Sequence, residues 1–320
     1  MGRISVLDVL RGIAAVIVVL FHYSKFWNEE TIVYSLFSYG YTGVMLFFMI
    51  SGFVIFLSVN KCESSKDFLI KRFTRLYPTF WICLALTTFF VKVFGLPGRE
   101  VSWKDTLINL TMIPKVLGFK DVDGVYWTLC YEFFFYIFIA ILFRLRIIKD
   151  IYLWIIPWMF LCVIHNSLFV FPKAIAFFFN FKYGLYFISG ILFYTLKFQE
   201  QKKIQVHLMV LICLIFSILN SKDRVESLFV VFYFFCFYLF VYEKLNWIVN
   251  KFFLFFGTIS YPLYLLHQNI GYIILNKFKN YTDNISYIIF PLFFSIFLAY
   301  MVHLYVEEPV QRYLKLNKLK

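Results

Sequence analysis

The sequence predicts an all-α integral membrane protein, a polytopic bundle of about ten transmembrane helices with both termini in the cytoplasm. Of its 320 residues, 62% are hydrophobic and only 15% are charged, whereas soluble domains are near half apolar and a quarter charged. Apolar runs recur along the whole chain, and a bilayer helix needs roughly 20 mostly apolar residues. We therefore expect a single transmembrane domain over residues 1–320.

Each predicted span corresponds to one apolar run. An even number of runs places both termini on the same side of the membrane. With the termini inside, the inner segments hold more than half of the 31 Lys and Arg residues, as the positive-inside rule requires. The segment 91–120 then lies outside. The runs cover residues 6–26, 40–59, 77–95, 125–143, 151–171, 183–198, 204–219, 227–242, 252–275 and 287–306.

Charge and cysteine usage exclude several classes of protein. The net charge of +13 comes from basic residues between apolar runs, so it indicates topology and contact with membrane lipid, and no nucleic acid is expected. The six cysteines form no CxxC pair, and five of them lie within apolar stretches. We therefore expect neither a disulfide framework nor a bound metal.

The first predicted span, LDVLRGIAAVIVVLFH, carries ionisable residues at membrane depth, where each costs a few kcal/mol. Arg11 and His22 are eleven residues apart, which is three helical turns plus about 20°, so they share a face about 16 Å apart along the axis. Both should point into the bundle or a wet cavity. The alternative is structural: Arg11 pairs with Asp8, and His22 bonds a neighbouring carbonyl.

The fourth span, WTLCYEFFFYIF, carries a carboxylate in an otherwise apolar run. In the predicted topology Glu132 lies about two turns, and His22 about one turn, below the outer surface. A carboxylate beside an imidazole fixes its tautomer and raises its basicity, as in general-base catalysis. A structural ion pair between helices and a proton relay in a transporter are the alternatives.

A basic inner segment, KDFLIKRFTRLYPTFW, precedes the third span. Arg72 and Arg75 are neighbours if this segment is helical. Guanidinium groups match phosphate oxygens, so the pair suits a phosphorylated ligand at the cytoplasmic mouth of a cavity. The alternative is an orientation signal that contacts lipid headgroups.

Two further stretches combine small or polar residues with apolar ones. Ser51 and Gly52 favour close helix packing, whereas a serine nucleophile lacks the Gly-x-Ser-x-Gly surroundings. Pro262 predicts a broken helix that lines a cavity, in which His267 contacts substrate. The alternative for His267 is a structural role, which we also assign to the remaining histidines, His165, His207 and His303.

Taken together, these stretches resemble the bacterial membrane acyltransferase-3 family. The resemblance is carried in order by LDVLRGIAAVIVVLFH, GVMLFFMISGF, FLIKRFTRLYPTFW, WTLCYEFFFY and ISYPLYLLH, with EEPVQRY as the C-terminal end. It implies a membrane-embedded O-acetyltransferase of the bacterial inner membrane. Such an enzyme moves an acyl group, usually acetyl, from cytoplasmic acyl-CoA to a hydroxyl of an envelope polysaccharide, such as lipopolysaccharide, or of a lipid-linked glycan.

The resemblance also implies roles for individual residues. By analogy His22 and Glu132 are catalytic; Arg11, Arg72 and Arg75 bind the acetyl-CoA donor; and Trp127, Tyr136 and His267 contact substrate. Some family members carry an appended SGNH-type domain, which this chain is expected to lack.

Two other functions are the alternatives to an acyltransferase. The first is a polytopic transporter that exports a glycan or an acylated precursor, and the second is a membrane scaffold without chemistry.

Overall fold

The computed structural model describes residues 4–26, 32–199, 203–278 and 286–316, and all regular secondary structure in these residues is helical. Short 3₁₀ turns lie at Gly40–Thr42, Gly124–Tyr126 and Asn246–Ile248, and a π-helical turn lies at His303–Glu307. The α-helices are α1 (Ser5–Ser24), α2 (Ile32–Phe37), α3 (Gly43–Val59), α4 (Ser65–Phe94), α5 (Trp103–Asn109), α6 (Trp127–Arg144), α7 (Ile151–Ser167), α8 (Lys173–Phe178), α9 (Gly184–Phe198), α10 (Lys203–Leu219), α11 (Arg224–Val241), α12 (Lys251–Phe278), α13 (Ser286–Val302) and α14 (Glu308–Leu316).

A helix occupies each of the ten predicted runs, which confirms the all-α class. Among the described residues, six helical segments are long and apolar enough to cross a membrane, so the chain is a multi-pass membrane protein. The total of ten spans and the cytoplasmic termini stay predictions. Helix α12 is 28 residues long but is not one of the six, because the polar residues 267–269 interrupt its apolar sequence.

Two helices extend further than the sequence predicted. Helix α4 begins at Ser65 rather than at residue 77, since the Ser64 hydroxyl accepts the backbone N–H of Asp67 and starts the helix twelve residues earlier. Helix α12 runs through Pro262 without ending, so the predicted helix break is wrong. Membrane helices tolerate proline because neighbouring groups satisfy the backbone carbonyl that it frees.

The chain forms two compact units. The first comprises Met1–Ala14, Thr42–Ile70 and Tyr131–Phe253, and in it α3 packs extensively against α9. A Cβ on Gly52 would lie 2.1 Å from the carbonyl oxygen of Phe187, and one on Gly190 would lie 2.0 Å from that of Met49. The small residues therefore permit close packing, as predicted for Ser51 and Gly52.

The second unit comprises Ala15–Tyr41, Lys71–Cys130 and Leu254–Lys320. In it, the end of the connecting segment before α6 is fastened to the middle of α12. The backbone N–H of Asn269 donates to Asp123 Oδ2 at 3.0 Å, and Asn269 Nδ2 donates to the Val122 carbonyl at 2.7 Å. Asp123 Oδ1 also accepts the N–H of Val125. These bonds fix the position at which α6 begins.

Asp123 is completely buried, and the loss of hydration raises the pKa of its carboxyl to about 6. The bonds from Asn269 and Val125 and the charge of Arg99 oppose this rise, while Asp121 adds to it. In the unfolded chain the pKa is about 3.9. The folded state therefore binds more protons than the unfolded state between these two values.

We expect the stability of the protein to fall as pH rises from about 4 to about 6.5, by about 3 kcal/mol through Asp123 alone. Asp123→Asn keeps the shape but cannot ionise, so its stability relative to wild type should rise over this window and level off above it. Thermal melting in detergent across this range measures the difference. A difference that does not change with pH would contradict the assignment.

Candidate active site

His22 lies near the end of α1 and is held by α12. Its Nδ1 is 2.9 Å from the side-chain nitrogen Nε2 of Gln268 and 3.2 Å from the hydroxyl of Tyr272. Gln268 and Tyr272 are four residues apart, so they project from the same face of α12. The imidazole is half-buried. Helix α12 thus holds one edge of the ring and leaves Nε2 as the atom that can meet a substrate.

His267 precedes Gln268 on α12 and lies beside His22, with 5.1 Å between the ring centroids. It is fully buried, and its Nδ1 lies 2.9 Å and 3.2 Å from the carbonyl oxygens of Tyr264 and Leu263. Carbonyls only accept, so Nδ1 carries the proton and Nε2 does not. That Nε2 is buried, and no described residue bonds it.

Tyr23 fixes the position of α1 relative to α12 and α13. Its hydroxyl donates to the His267 carbonyl at 3.0 Å and lies 2.7 Å from the Ser295 hydroxyl. Gly271 leaves room for the ring, since a Cβ there would come within 2.3 Å of it. Because Tyr23 is next to His22 in the chain, this contact also positions His22 against α12.

The side chains of Gln268 and Arg99 both lie close to Gly124. A Cβ on Gly124 would lie 2.3 Å from Gln268 Oε1 and 3.1 Å from Arg99 Nη1, so a larger residue would displace the Gln268 amide from its place. Arg99 donates to Asn269 Oδ1 at 2.8 Å, and its guanidinium carbon lies 4.8 Å from the centroid of the Tyr272 ring. The six residues His22, Arg99, Asp123, Gln268, Asn269 and Tyr272, hereafter the α12 cluster, form one connected polar network.

Two cationic side chains of the described residues lie near His22. Lys25, which stacks over the Phe21 ring at 4.2 Å, and Arg99 both act electrostatically on His22. Asp123 is the carboxylate of the α12 cluster, and its raised pKa makes it only a partial counter-charge near pH 6. The surroundings of His22 therefore favour anionic groups.

The structure divides the residues predicted for the site between the two units. Within the first unit, Arg11 pairs with Asp8 at 3.4 Å, and Ser51 donates to Glu132 at 3.0 Å. The partners described above for His22 belong to the second unit. The predicted pairing of His22 with Glu132 stays a prediction. The first unit holds Arg11, Glu132 and Tyr136, and the second holds His22, Arg72, Arg75, Trp127 and His267.

Two of the three predicted donor-binding arginines, Arg72 and Arg75, lie on α4 and are neighbours, as expected for a helix. Arg72 is half-buried and Arg75 is exposed. Trp127 is half-buried at the first turn of α6, and Tyr136 is buried two and a half turns later. Arg75 and half-buried Arg72 are accessible to a phosphorylated ligand.

Sequence reasoning missed five members of the α12 cluster. The polar stretch HQN inside the apolar run LYLLHQNIGYIIL was the available signal for Gln268 and Asn269, and only its histidine was recognised. Nothing in the local sequence separates Arg99 and Asp123 from the other charges of the segment before α6. Tyr272 is one of 23 tyrosines, so its residue type did not distinguish it as a site residue.

The chemistry available is that of imidazole, amide, hydroxyl and guanidinium groups. Within the part of the chain that the structure describes, no three His, Cys, Asp or Glu side chains form a group that could hold a metal ion. All six cysteines are free thiols. An imidazole with one nitrogen held and the other available can take up and return a proton or carry an acyl group.

The comparisons with known proteins agree with this chemistry. A family model described as an acyltransferase domain, that of acyltransferase family 3, matches residues 4–304. The chain is 28% identical over 136 residues to ORF330 of Acidianus two-tailed virus, which is provisionally named an acetyltransferase. That alignment covers 42% of this chain and 40% of the relative.

Two further relatives are similar. The O-acetyl transferase of Shigella phage Sf6 is 29% identical over 153 residues, which are 43% of this chain and 45% of that protein. Protein 2 in the picA locus of Rhizobium radiobacter is 35% identical over 131 residues, 38% of this chain and 63% of that protein. The alignments thus span about half the length of these relatives, and no solved structure matches the chain. The family match covers nearly the whole chain, and the protein therefore belongs to the acyltransferase-3 family.

Proposed function

We propose that the protein is a membrane-embedded O-acetyltransferase of the bacterial inner membrane. It moves an acyl group, acetyl in the simplest case, from cytoplasmic acyl-CoA to a hydroxyl of an envelope polysaccharide or lipid-linked glycan. The observation that carries the proposal is a histidine held at Nδ1 by α12 in a chain of the acyltransferase-3 family. The acetyltransferase names of two relatives support the choice of acyl group.

His22 is the proposed general base. Its Nε2 takes the proton of the acceptor hydroxyl as that oxygen attacks the thioester carbonyl carbon. The carbon–sulfur bond then breaks, and the coenzyme A thiolate leaves and receives this proton from the imidazolium. A two-step route, in which Nε2 first carries the acyl group, uses the same atom.

Gln268 is the proposed positioning residue for His22. For Nε2 to act as the base, Nδ1 has to carry the proton, and its partner has to accept it. In the structure Gln268 Nε2 faces Nδ1, and an amide nitrogen donates to an unprotonated Nδ1. The amide has to turn over to present Oε1, which accepts the Nδ1 proton of the catalytic tautomer. Gly124 leaves space for the amide atom that faces away from His22.

Arg72, Arg75 and Arg11 are the proposed donor-binding residues. Coenzyme A carries several phosphates, and guanidinium groups bind phosphate with charge-assisted hydrogen bonds. In the predicted topology all three lie towards the cytoplasm, where acyl-CoA is available. The pantetheine arm is long enough to carry the thioester from there into the membrane towards His22.

Glu132 is the second proposed catalytic residue, with its carboxylate oriented by the Ser51 hydroxyl. Trp127, Tyr136 and His267 are proposed substrate contacts. For His267, this role is supported by its position beside His22 and by its unprotonated Nε2. Membrane lipid and a glycan acceptor at the outer face complete the proposed partners.

His22→Ala should abolish acyl transfer, since it removes the base and any acyl carrier, while expression and membrane insertion stay normal. The assay uses protein in nanodiscs with radiolabelled acetyl-CoA and an envelope glycan extract, and follows coenzyme A release and label transfer. His207→Ala is the matched control, because that histidine bonds Tyr238 in the first unit and should keep full activity. Normal transfer by His22→Ala would overturn the assignment.

Arg72→Ala should raise the KM for acetyl-CoA by about tenfold or more, the loss expected when one charge-assisted hydrogen bond to phosphate is removed. The kcat at saturating donor should change little. Lys66→Ala, which removes an exposed cation from the same helix, should leave the KM unchanged. If the KM of the two variants is the same as that of wild type, Arg72 does not bind the donor.

Gln268→Leu should lower kcat by about 100-fold without changing the KM for acetyl-CoA, because it removes the amide that holds Nδ1. Gln268→Glu retains an acceptor for the Nδ1 proton and should stay within about tenfold of wild type. Thr87→Val, at an equally buried position in the same unit, should keep kcat. Equal losses in the Leu and Glu variants would show that Gln268 does not act by accepting that proton.

A further inference from the structure

We propose that the acceptor carries an anionic group, a carboxylate or a phosphate, which Arg99 binds while His22 meets the hydroxyl to be acylated. This inference rests on the proposed function and names the class of acceptor. Nothing in the family match or the names of the relatives assigns a role to the position of Arg99.

Arg99 is a fixed cation with unused donors. The groups that it contacts directly are neutral, the amide oxygen of Asn269 at 2.8 Å and the face of the Tyr272 ring, while Asp123 acts on it electrostatically without a direct bond. Among the described residues no carboxylate forms an ion pair with it. A guanidinium has five N–H donors, and the hydrogen bond to Asn269 uses one. The side chain is half-buried rather than enclosed, so the remaining donors can meet a ligand.

The anchoring of Arg99 suits it to bind an oxyanion. Because the Tyr272 ring and Asn269 hold the side chain, little conformational freedom is lost when an anion binds. The planar fork of N–H groups matches both carboxylate and phosphate.

Arg99 is also close to the reacting group. The Tyr272 ring that it stacks on carries the hydroxyl that bonds His22 Nδ1, so one glycan can reach Arg99 and His22 together. Lys25 adds a second positive charge near His22. Asp123, the nearby carboxylate, is already engaged by the backbone N–H groups of Asn269 and Val125.

An anionic group of the acceptor is a better ligand for Arg99 than the phosphates of the acyl-CoA donor. Arg99 belongs to the segment 91–120, which the charge pattern places at the outer face, whereas Arg72 and Arg75 lie on the inner side in the same topology. Coenzyme A phosphates enter from the cytoplasm. An anion at Arg99 therefore belongs to the molecule that approaches from outside.

The test uses the full-length protein in nanodiscs with radiolabelled acetyl-CoA and an envelope glycan extract as the probe. The extract is divided into an untreated portion, a portion with its carboxyl groups reduced to alcohols, and a portion whose glycosyl phosphates are cleaved by mild acid. Labelled products are passed over an anion exchanger, and coenzyme A release is measured in parallel. Wild type, Arg99→Gln and Lys104→Gln, which removes an exposed cation from the same segment, are compared.

We expect the wild-type product to bind the exchanger, and one of the two treatments to lower labelling at least about tenfold. Loss on carboxyl reduction identifies an acidic sugar, and loss on mild acid identifies a phosphate. Arg99→Gln should lower kcat/KM for the untreated extract about tenfold or more with the KM for acetyl-CoA unchanged, and Lys104→Gln should match wild type.

Three results would overturn the inference. The first is a labelled product that passes the exchanger uncharged, and the second is labelling that survives both treatments. The third is an increase in the KM for acetyl-CoA in Arg99→Gln, which would show that Arg99 binds the donor. In each of these the wild type still transfers label, so the acetyltransferase activity stands. Absence of both coenzyme A release and label transfer in wild type would instead refute the proposed function.

Discussion

The burial of three consecutive polar residues in α12 constrains how the second unit is assembled. His267, Gln268 and Asn269 are at most 4% exposed, and a polar group buried without a partner costs a few kcal/mol. Each therefore needs a bonding partner from a specific direction. His267 bonds carbonyls of its own helix, Gln268 faces His22, and Asn269 faces the segment before α6. The helix cannot rotate or slide without breaking the bonds of Gln268 and Asn269, so α1 and the start of α6 are fixed against it.

This constraint links the fold to the proposed chemistry. A catalytic imidazole has to be held at one nitrogen and open at the other, and the hydrogen bond of Gln268 Nε2 holds His22 Nδ1. The glycines contribute in the same way. Gly124 and Gly271 leave the spaces that the Gln268 amide and the Tyr23 ring occupy, so a methyl group at either position would push a site residue out of place. The packing and the orientation of the base thus depend on the same few contacts.

Hydropathy and helical spacing predicted the helices and their order, and they singled out His22 as a candidate, because those properties are local in the sequence. The partners of His22 could not be predicted in that way. Gln268 is 246 residues from His22, and Asn269 is 146 residues from Asp123, and no periodic pattern connects residues so far apart. Arg99 and Asp123 resemble ordinary loop charges until the fold brings them to α12. The start of α4 was missed because hydropathy marks where a helix enters the membrane rather than where the helix begins.

The distribution of charge in the α12 cluster follows from the cost of ionised groups at membrane depth. The side chains that the helices contribute are an imidazole, two amides and a phenol, from His22, Gln268, Asn269 and Tyr272, and all of these can be neutral. The full charges, Arg99 and Asp123, come from the connecting segment before α6, and Lys25 follows the end of α1. A positive field therefore reaches His22 while the cationic groups themselves stay outside the helices. In the predicted topology, this arrangement is suited to attract the proposed anionic acceptor at the membrane boundary, with the proposed catalytic histidine one turn deeper.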